Sequence, residues 1–138
     1  MRDRAGAAAL RRHHEQILLR VSREVIKDSA DYVVDPPATG TTEARIRFVG
    51  RVNPDRCAGL ILDAEWLEAV FFLSRNVSIL KLDAYDNDEF ATVQARQLLT
   101  VVDAFLRGEG SIETRRTFSG RRRPVLRLHV DGQAWVAT

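Results

Sequence analysis

Cysteine is almost absent from this chain: Cys57 is the only one among 138 residues, so no disulfide can form within it. A chain of this length buries about two-thirds of the surface that its unfolded form exposes, so it can fold without a disulfide or a metal. Long apolar runs are also missing. The longest lies near residues 69–73, whereas a helix that spans a bilayer needs about 20 apolar residues. We therefore expect one domain over residues 1–138, cytoplasmic and without membrane contact.

Lysine is scarce as well, because Lys27 and Lys81 are the only two and the other 19 of the 21 basic residues are arginine. The charge is uneven: residues 1–27 carry a net +4, residues 28–106 a net −6 and residues 107–127 a net +5. Arginine binds phosphate and carboxylate in a two-pronged geometry that lysine lacks. A compositional bias toward arginine explains the scarcity of lysine without any function. The charge layout nevertheless favours association with an oppositely charged surface.

The sequence lacks the motifs of the common catalytic and metal centres. It has no phosphate-binding loop, dinucleotide-binding glycine pattern or nucleophile elbow. The acidic stretch Asp83–Glu89 lacks the glycine and glutamate that a calcium loop needs, and His13, His14 and His129 have no partners at zinc-ligand spacing. An enzyme would need Cys57, His129 or these acids to converge in a deep pocket. We therefore predict no catalytic residue, no metal and no cofactor, and favour a non-catalytic protein.

Hydrophobic spacing predicts two clear helices. Apolar residues recur every three or four positions from Ala7 to about Ala30, which defines an amphipathic N-terminal helix within residues 1–30. Its first turns either pack on the domain or project toward a partner. A second run of this kind extends from Asp86 to about Arg107, with acidic residues in its first turn. Gly108 lies just past its end, where a C-terminal cap belongs.

The segment from Arg56 to Ser74 is ambiguous. Its apolar residues, centred on Trp66, fit a third helix, which we prefer. Leu60–Leu62 also fits a short strand followed by a helix that Asp63 caps. Periodicity alone leaves residues 56–62 open between helix and strand.

Alternation of apolar residues with arginine predicts a strand at residues 43–52, and a run rich in branched and apolar residues predicts another at 77–82. Further strands are expected at residues 32–34, 111–118, 122–130 and 133–137. Asp131–Gly132 predicts a type I′ hairpin turn, in a register that places Trp135 opposite Leu128. The predicted fold is therefore α+β. It has an N-terminal helix, a mainly antiparallel sheet of about five strands with two further helices on one face, and a C-terminal β-meander.

Arginine is concentrated in Thr114–Gly132, which holds six arginines in nineteen residues. A hairpin around Gly120 would bring five of them together, and a phosphate backbone would reward such a cluster through counterion release. Phe118 is the only aromatic residue near the turn, so the simplest explanation is a solvated strand edge that its charges keep from aggregating. The candidate binding residues are Arg115, Arg116, Arg121, Arg122 and Arg123, extended by Arg45, Arg47 and Arg51 if that strand lies nearby.

The N-terminal helix offers a second candidate surface, formed by Leu10, Ile17, Leu18 and Val21. Their spacing is close to a short heptad seam and allows a homodimer, although an ordinary core stripe is the simpler explanation. We expect a small soluble protein-interaction module, an adaptor or regulatory protein that binds another protein or a second copy of itself. The alternative is a nucleic-acid-binding protein that uses the arginine-rich hairpin around residues 115–127.

Overall fold

The computed structural model describes residues 4–36, 40–73, 76–83 and 87–138. Within them the chain forms two helices and eight strands. In chain order these are α1 (Arg4–Val25), β1 (Ala30–Val34), β2 (Ala44–Gly50), β3 (Cys57–Leu62), β4 (Trp66–Leu73), β5 (Asn76–Asp83), α2 (Asp88–Leu106), β6 (Ser111–Arg116), β7 (Arg122–Val130) and β8 (Gln133–Ala137). The predicted α+β class is confirmed, but these residues hold two helices rather than the three expected.

The first five strands form one antiparallel sheet in the order β1-β2-β3-β4-β5. β2 shows why this segment becomes a strand, because its residues are buried and exposed in strict alternation. Ile46 and Phe48 point into the core, while Arg45 and Arg47 point away from it. The sheet therefore has a core face and an outer face. In each strand, alternate residues point to one face and then to the other.

The helix that we preferred over residues 56–74 is wrong, because this segment is the hairpin of β3 and β4. Residues 57–62 are strand, which settles the ambiguity of that segment. The turn is closed by the Asp63 N–H, which donates to the Trp66 carbonyl at 2.9 Å. The expected alternation was hidden because β4 is apolar on both faces: Leu67 points into the core, and Phe72 points outward. Such a continuous apolar run resembles a buried helix.

Both helices pack on the core face of the sheet. The Phe105 ring of α2 meets the Phe71 ring of β4 edge to face, with 5.1 Å between the ring centroids. The buried stripe predicted for α2 is confirmed, and its members are Ala91, Ala95, Leu98, Val102 and Phe105. The helix is capped by Asn87, whose Oδ1 accepts a hydrogen bond from the Phe90 N–H at 3.1 Å. The predicted start at Asp86 lies outside the described residues.

The ends of both helices are fixed by local chemistry. Gly108 has a φ of 98°, as expected of a C-terminal cap for α2. α1 ends at Val25 rather than at Ala30, which already belongs to β1. The Ser29 hydroxyl in the connection donates to Asp103 of α2 at 2.5 Å, so polar contacts replace the last predicted helical turn. Neither described helix is long and apolar enough to cross a membrane.

The last three strands form a separate antiparallel sheet in the order β6-β7-β8, here called the C-terminal sheet. Asp131 and Gly132 have φ values of 51° and 77°, as the predicted turn requires, and Leu128 lies opposite Trp135 as predicted. The end of this sheet attaches to β5, because Thr138 and Ile79 exchange both backbone hydrogen bonds, at 2.9 and 3.1 Å.

Candidate polyanion-binding site

The hairpin of β6 and β7 ends in a three-residue loop. The Thr117 N–H donates to the Arg121 carbonyl at 2.7 Å, and the Gly120 N–H donates to the Thr117 carbonyl at 2.9 Å. Gly120 has a φ of +81°, the left-handed conformation that a loop of this length needs next to the returning strand. The local sequence Thr-Phe-Ser-Gly therefore fixes where the chain reverses, and with it the pairing of the flanking arginines.

This reversal places arginine directly opposite arginine. Arg115 pairs with Arg123, and Arg116 pairs with Arg122. Because successive residues of a strand point to opposite faces, one arginine pair lies on each face of the hairpin. We call Arg115, Arg116, Arg121, Arg122 and Arg123 together the arginine ribbon. Like charges directly opposite each other destabilise a strand pair, so this arrangement opposes folding.

The arginine ribbon has no internal counter-charge in the described part of the chain. All five arginines are exposed, and no described carboxylate lies within ion-pair distance of them. Glu113, on the same strand, pairs with Arg127 at 3.1 Å instead. Every residue of β6 is exposed. Both faces of the ribbon therefore meet water.

Phe118 occupies the tip of the loop. Its exposed fraction is 111%, so its ring has no more cover than in an extended peptide. The sequence identified this residue but not its position beyond the paired arginines. An aromatic ring held in water at the end of a cationic ribbon is suited to stacking on a base or entering between bases.

The arginines of the β2 region differ from the ribbon in both partners and location. Arg45 pairs with Glu43 at 3.0 Å, and Arg47 pairs with Asp35 at 2.5 Å. Arg51 pairs with Asp31, and this hydrogen-bonded contact holds the pKa of the Asp31 carboxyl below its ordinary value of 3.8.

These three arginines do not extend the ribbon. β3 and β4 lie between β2 and β5, the strand to which the C-terminal sheet attaches. A cleft of about 470 Å³ beside Arg45 and Arg47 also contains Arg11, but Glu15, Asp35 and Glu43 line it too. The basic and acidic groups of this cleft balance, so it does not attract a polyanion.

The predicted interface on α1 is not available to a partner. Ile17, Leu18 and Val21 are buried in the core of the same chain, and Leu10 is half-buried. α1 packs through this stripe against the sheet and α2 instead of projecting. The simpler explanation, an ordinary core stripe, describes these residues.

Among the described residues, those that an enzyme would need do not converge. Cys57 lies on the outer face of β3, whereas His129 is exposed on β7 in the other sheet. His13 contacts Asp88 at 2.8 Å, and the buried His14 donates from Nδ1 to the Thr42 carbonyl at 2.7 Å. Across the described ranges, no three His, Cys, Asp or Glu side chains are grouped to hold a metal ion. Of the stretch 83–89, residues 84–86 lie outside these ranges.

The sequence did not point to a second surface, the outer face of the five-stranded sheet. It carries exposed apolar side chains on β2, β4 and β5, including Val49, Phe72 and Val77. We call this surface the open face. The signal was present in the sequence but needed the strand assignment of residues 57–73 to become visible.

Comparisons with protein-family models, with curated proteins and with solved structures find no match for this chain.

Proposed function

We propose that this protein is a non-catalytic, cytoplasmic nucleic-acid-binding protein that holds the phosphate backbone with its arginine ribbon. The observation that supports this proposal is the pairing of Arg115 with Arg123 and of Arg116 with Arg122, without a carboxylate nearby among the described residues. Each like-charge pair costs the fold a few tenths of a kcal/mol or more. A polyanion placed between the arginines removes that repulsion and releases its own counterions.

The shape of the hairpin also suits a nucleic-acid groove. A two-stranded ribbon is about 5 Å across its backbones, and the major groove of B-DNA, about 12 Å wide, admits such a ribbon. Arginines on both faces can reach the phosphates of both groove walls. In this orientation Phe118, at the tip of the loop, lies deepest in the groove, where it can contact bases directly.

Protection of a strand edge against aggregation explains only part of the cluster. Charges that protect a sheet edge from aggregation must lie on the exposed edge strand, which is β6 in the C-terminal sheet. Arg122 and Arg123 lie on β7, the partner strand, and Arg121 precedes it. Three of the five arginines are therefore left without a role under that explanation.

The interaction module that we expected from the sequence is the second candidate. Its predicted helix surface is largely taken up by the core, so this function now depends on the open face, or on the arginine ribbon if the partner is an acidic protein. Exposed Val49, Phe72 and Val77 favour contact with another protein surface on the open face. This candidate is compatible with nucleic-acid binding, because the two surfaces lie on different sheets.

The test is binding of fluorescent 20-nucleotide probes, as duplex DNA, single-stranded DNA and single-stranded RNA, measured by anisotropy. For five phosphate contacts on duplex DNA, affinity should fall about 500-fold between 50 and 200 mM salt. The variant Arg121→Gln/Arg122→Gln/Arg123→Gln should lose most of the binding. Its matched control, Arg45→Gln/Arg47→Gln/Arg51→Gln, removes the same charge from ion-paired arginines and should retain it. Failure of all three probes at 50 mM salt, or equal losses in both variants, would overturn the proposal.

A further inference from the structure

The open face holds two adjacent rows that are mainly apolar. Strand register aligns Val49, Cys57, Phe72 and Val77 in one row, and Gly59, Val70 and Ile79 in the next. On the β1 side Asp31 ends the first row, and Arg47 and Val33 end the second; both charges are held in ion pairs within the chain. Val49, Phe72 and Val77 are 51%, 43% and 45% exposed, values typical of surface residues rather than of a covered sheet. Contiguous apolar surface of this kind on a soluble chain marks a contact site.

A third row beside these two is charged, and its signs are ordered. The register places Arg45, Ile61, Glu68 and Lys81 side by side on β2, β3, β4 and β5. Asp35 continues the row past β1, because its N–H donates to the Arg45 carbonyl at 2.9 Å. The charge of the row is therefore negative beside β1, positive on β2, zero on β3, negative on β4 and positive on β5. When the row is turned end for end about β3, each charged residue takes the place of one of opposite sign.

Two members of the charged row, Glu68 and Lys81, form no ion pair with a described residue of the chain. Lys81 lies opposite Glu68, but its Nζ is placed over the Trp66 ring, 5.0 Å from the centroid. No described basic group lies within ion-pair distance of Glu68. Glu68 therefore faces outward with its charge available to another molecule.

We infer that the open face binds a second copy of this chain, related by a two-fold axis that runs along β3. Such an axis reverses the row, so Arg45 of one copy meets Glu68 of the other, and Lys81 meets Asp35. In the other two rows it sets Val49 against Phe72 and Val33 against Ile79, while Arg47 and Asp31, each ion-paired within its own chain, meet Val70 and Val77. The β3 residues on the axis, Cys57, Gly59 and Ile61, meet their own counterparts. A two-fold interface must be self-complementary in this way, and sheets that pack face to face keep their strand directions within about 30°.

A second copy is favoured over an unrelated partner because the charges of this row change sign when the row is reversed about β3. That symmetry makes the row complementary to itself, and an unrelated partner would not require it. The area suits a dissociable dimer. Five strands spaced about 4.8 Å apart and six residues of about 3.3 Å each give a face of roughly 500 Å². The total of about 1,000 Å² is near the lower limit for a specific interface, where weak and transient contacts are found. This inference does not depend on nucleic-acid binding.

The charge arrangement can be tested by swapping its members, with dimerisation measured by sedimentation velocity from about 1 to 200 μM. Glu68→Arg and Arg45→Glu should each weaken the dimer about tenfold or more, because like charges then face each other. The double swap Arg45→Glu/Glu68→Arg restores opposite signs and should bring the dissociation constant back to within about threefold of the parent value. Phe72→Glu should abolish dimerisation. The control Val93→Glu, at an exposed apolar position of α2, should leave it unchanged.

Cys57 supplies an independent measurement of the axis. Facing sheets lie about 10 Å apart, so a bismaleimide reagent with a spacer of about that length should join two copies through Cys57, and Cys57→Ser should prevent the product. A chain that stays monomeric at the highest concentration would overturn the inference and leave the face to a different protein. A dimer that ignores Glu68→Arg and Phe72→Glu, or that the double swap does not restore, would overturn it as well.

Discussion

Arg115 lies directly opposite Arg123 in the hairpin of β6 and β7, and no described carboxylate is within ion-pair distance of either side chain. This relationship costs stability, and under the proposed function it serves binding. A fold selected for stability alone would place an acid within reach of each arginine, as Glu113 reaches Arg127 diagonally across the same hairpin at 3.1 Å. Changes in the arginine ribbon should therefore move stability and binding in opposite directions.

The variant Arg115→Glu should stabilise the protein and weaken its binding to nucleic acid. It replaces a like-charge pair by an opposite-charge pair with Arg123, which is worth about 0.2–1 kcal/mol in the free energy of unfolding. Urea denaturation and probe anisotropy measure the two effects. Arg127→Gln is the control, because it removes an existing ion pair and should not stabilise the fold. Stabilisation without any loss of binding would separate the ribbon from function.

Phe118→Ala should leave stability unchanged but weaken binding to single strands. The ring is fully exposed and packs on nothing that its removal would disturb. Stacking of one base on an aromatic ring is worth about 1–3 kcal/mol, so the affinity for single-stranded RNA or DNA should fall about 5- to 150-fold. Val136→Ala, at another exposed apolar residue of the C-terminal sheet, serves as the matched control. If both variants bind single-stranded nucleic acid as tightly as the parent protein does, Phe118 makes no contact with bases.

The sequence predicted the elements whose two faces differ in polarity. α2 was found because its apolar residues lie on one stripe from Ala91 to Phe105 and because Gly108 ends it. Residues 57–73 were missed because both faces of β4 are apolar, with Phe72 outward and Phe71 inward. The feature that concealed the strands is the same one that makes the open face a contact surface.

The candidate site was also only partly visible in the sequence. The five arginines of the ribbon could be identified from their clustering around Gly120. Their lack of partners could not be predicted, because ion pairing depends on which strands become neighbours. Arg47 and Arg51 are paired with Asp35 and Asp31, carboxylates that the pairing of β1 with β2 brings close.

Gly50→Ala should destabilise the fold strongly, whereas Gly59→Ala should not. A Cβ at Gly50 would lie 2.3 Å from the Asn53 carbonyl oxygen and 2.9 Å from that of Arg56, both backbone atoms of the following turn. Overpacking of this kind costs about 1–3 kcal/mol or more. A Cβ at Gly59 would meet only the Ile46 carbonyl oxygen, at an ordinary 3.6 Å. Thermal or urea unfolding of the two variants compares them, and equal stabilities would contradict the placement of the turn after β2.

Acid should lower the folding stability of the protein, partly because it protonates the carboxylates of two exposed ion pairs. A hydrogen bond from Arg107 lowers the pKa of Asp28 below 3.8, and a hydrogen bond from Arg51 does the same to Asp31. A carboxyl whose pKa is lower in the folded state contributes stability above its unfolded pKa, and that contribution disappears as the pH falls through the folded pKa. These contributions should therefore be complete at neutral pH and decline below a pH of about 4.

The variants Asp28→Asn and Asp31→Asn should each flatten the decline in urea midpoint below a pH of about 4. At neutral pH each should be slightly less stable than the parent, and at low pH the difference should vanish, because the parent carboxyls are then protonated. In an Arg107→Gln background, Asp28→Asn should have little further effect, since the guanidinium that lowers the pKa of that carboxyl is already gone. The opposite trend, a variant that loses stability more steeply in acid than the parent, would contradict the assigned ion pairs. The double variant then distinguishes the Arg107 contact from a general effect of removing negative charge, which would lower stability equally in both backgrounds.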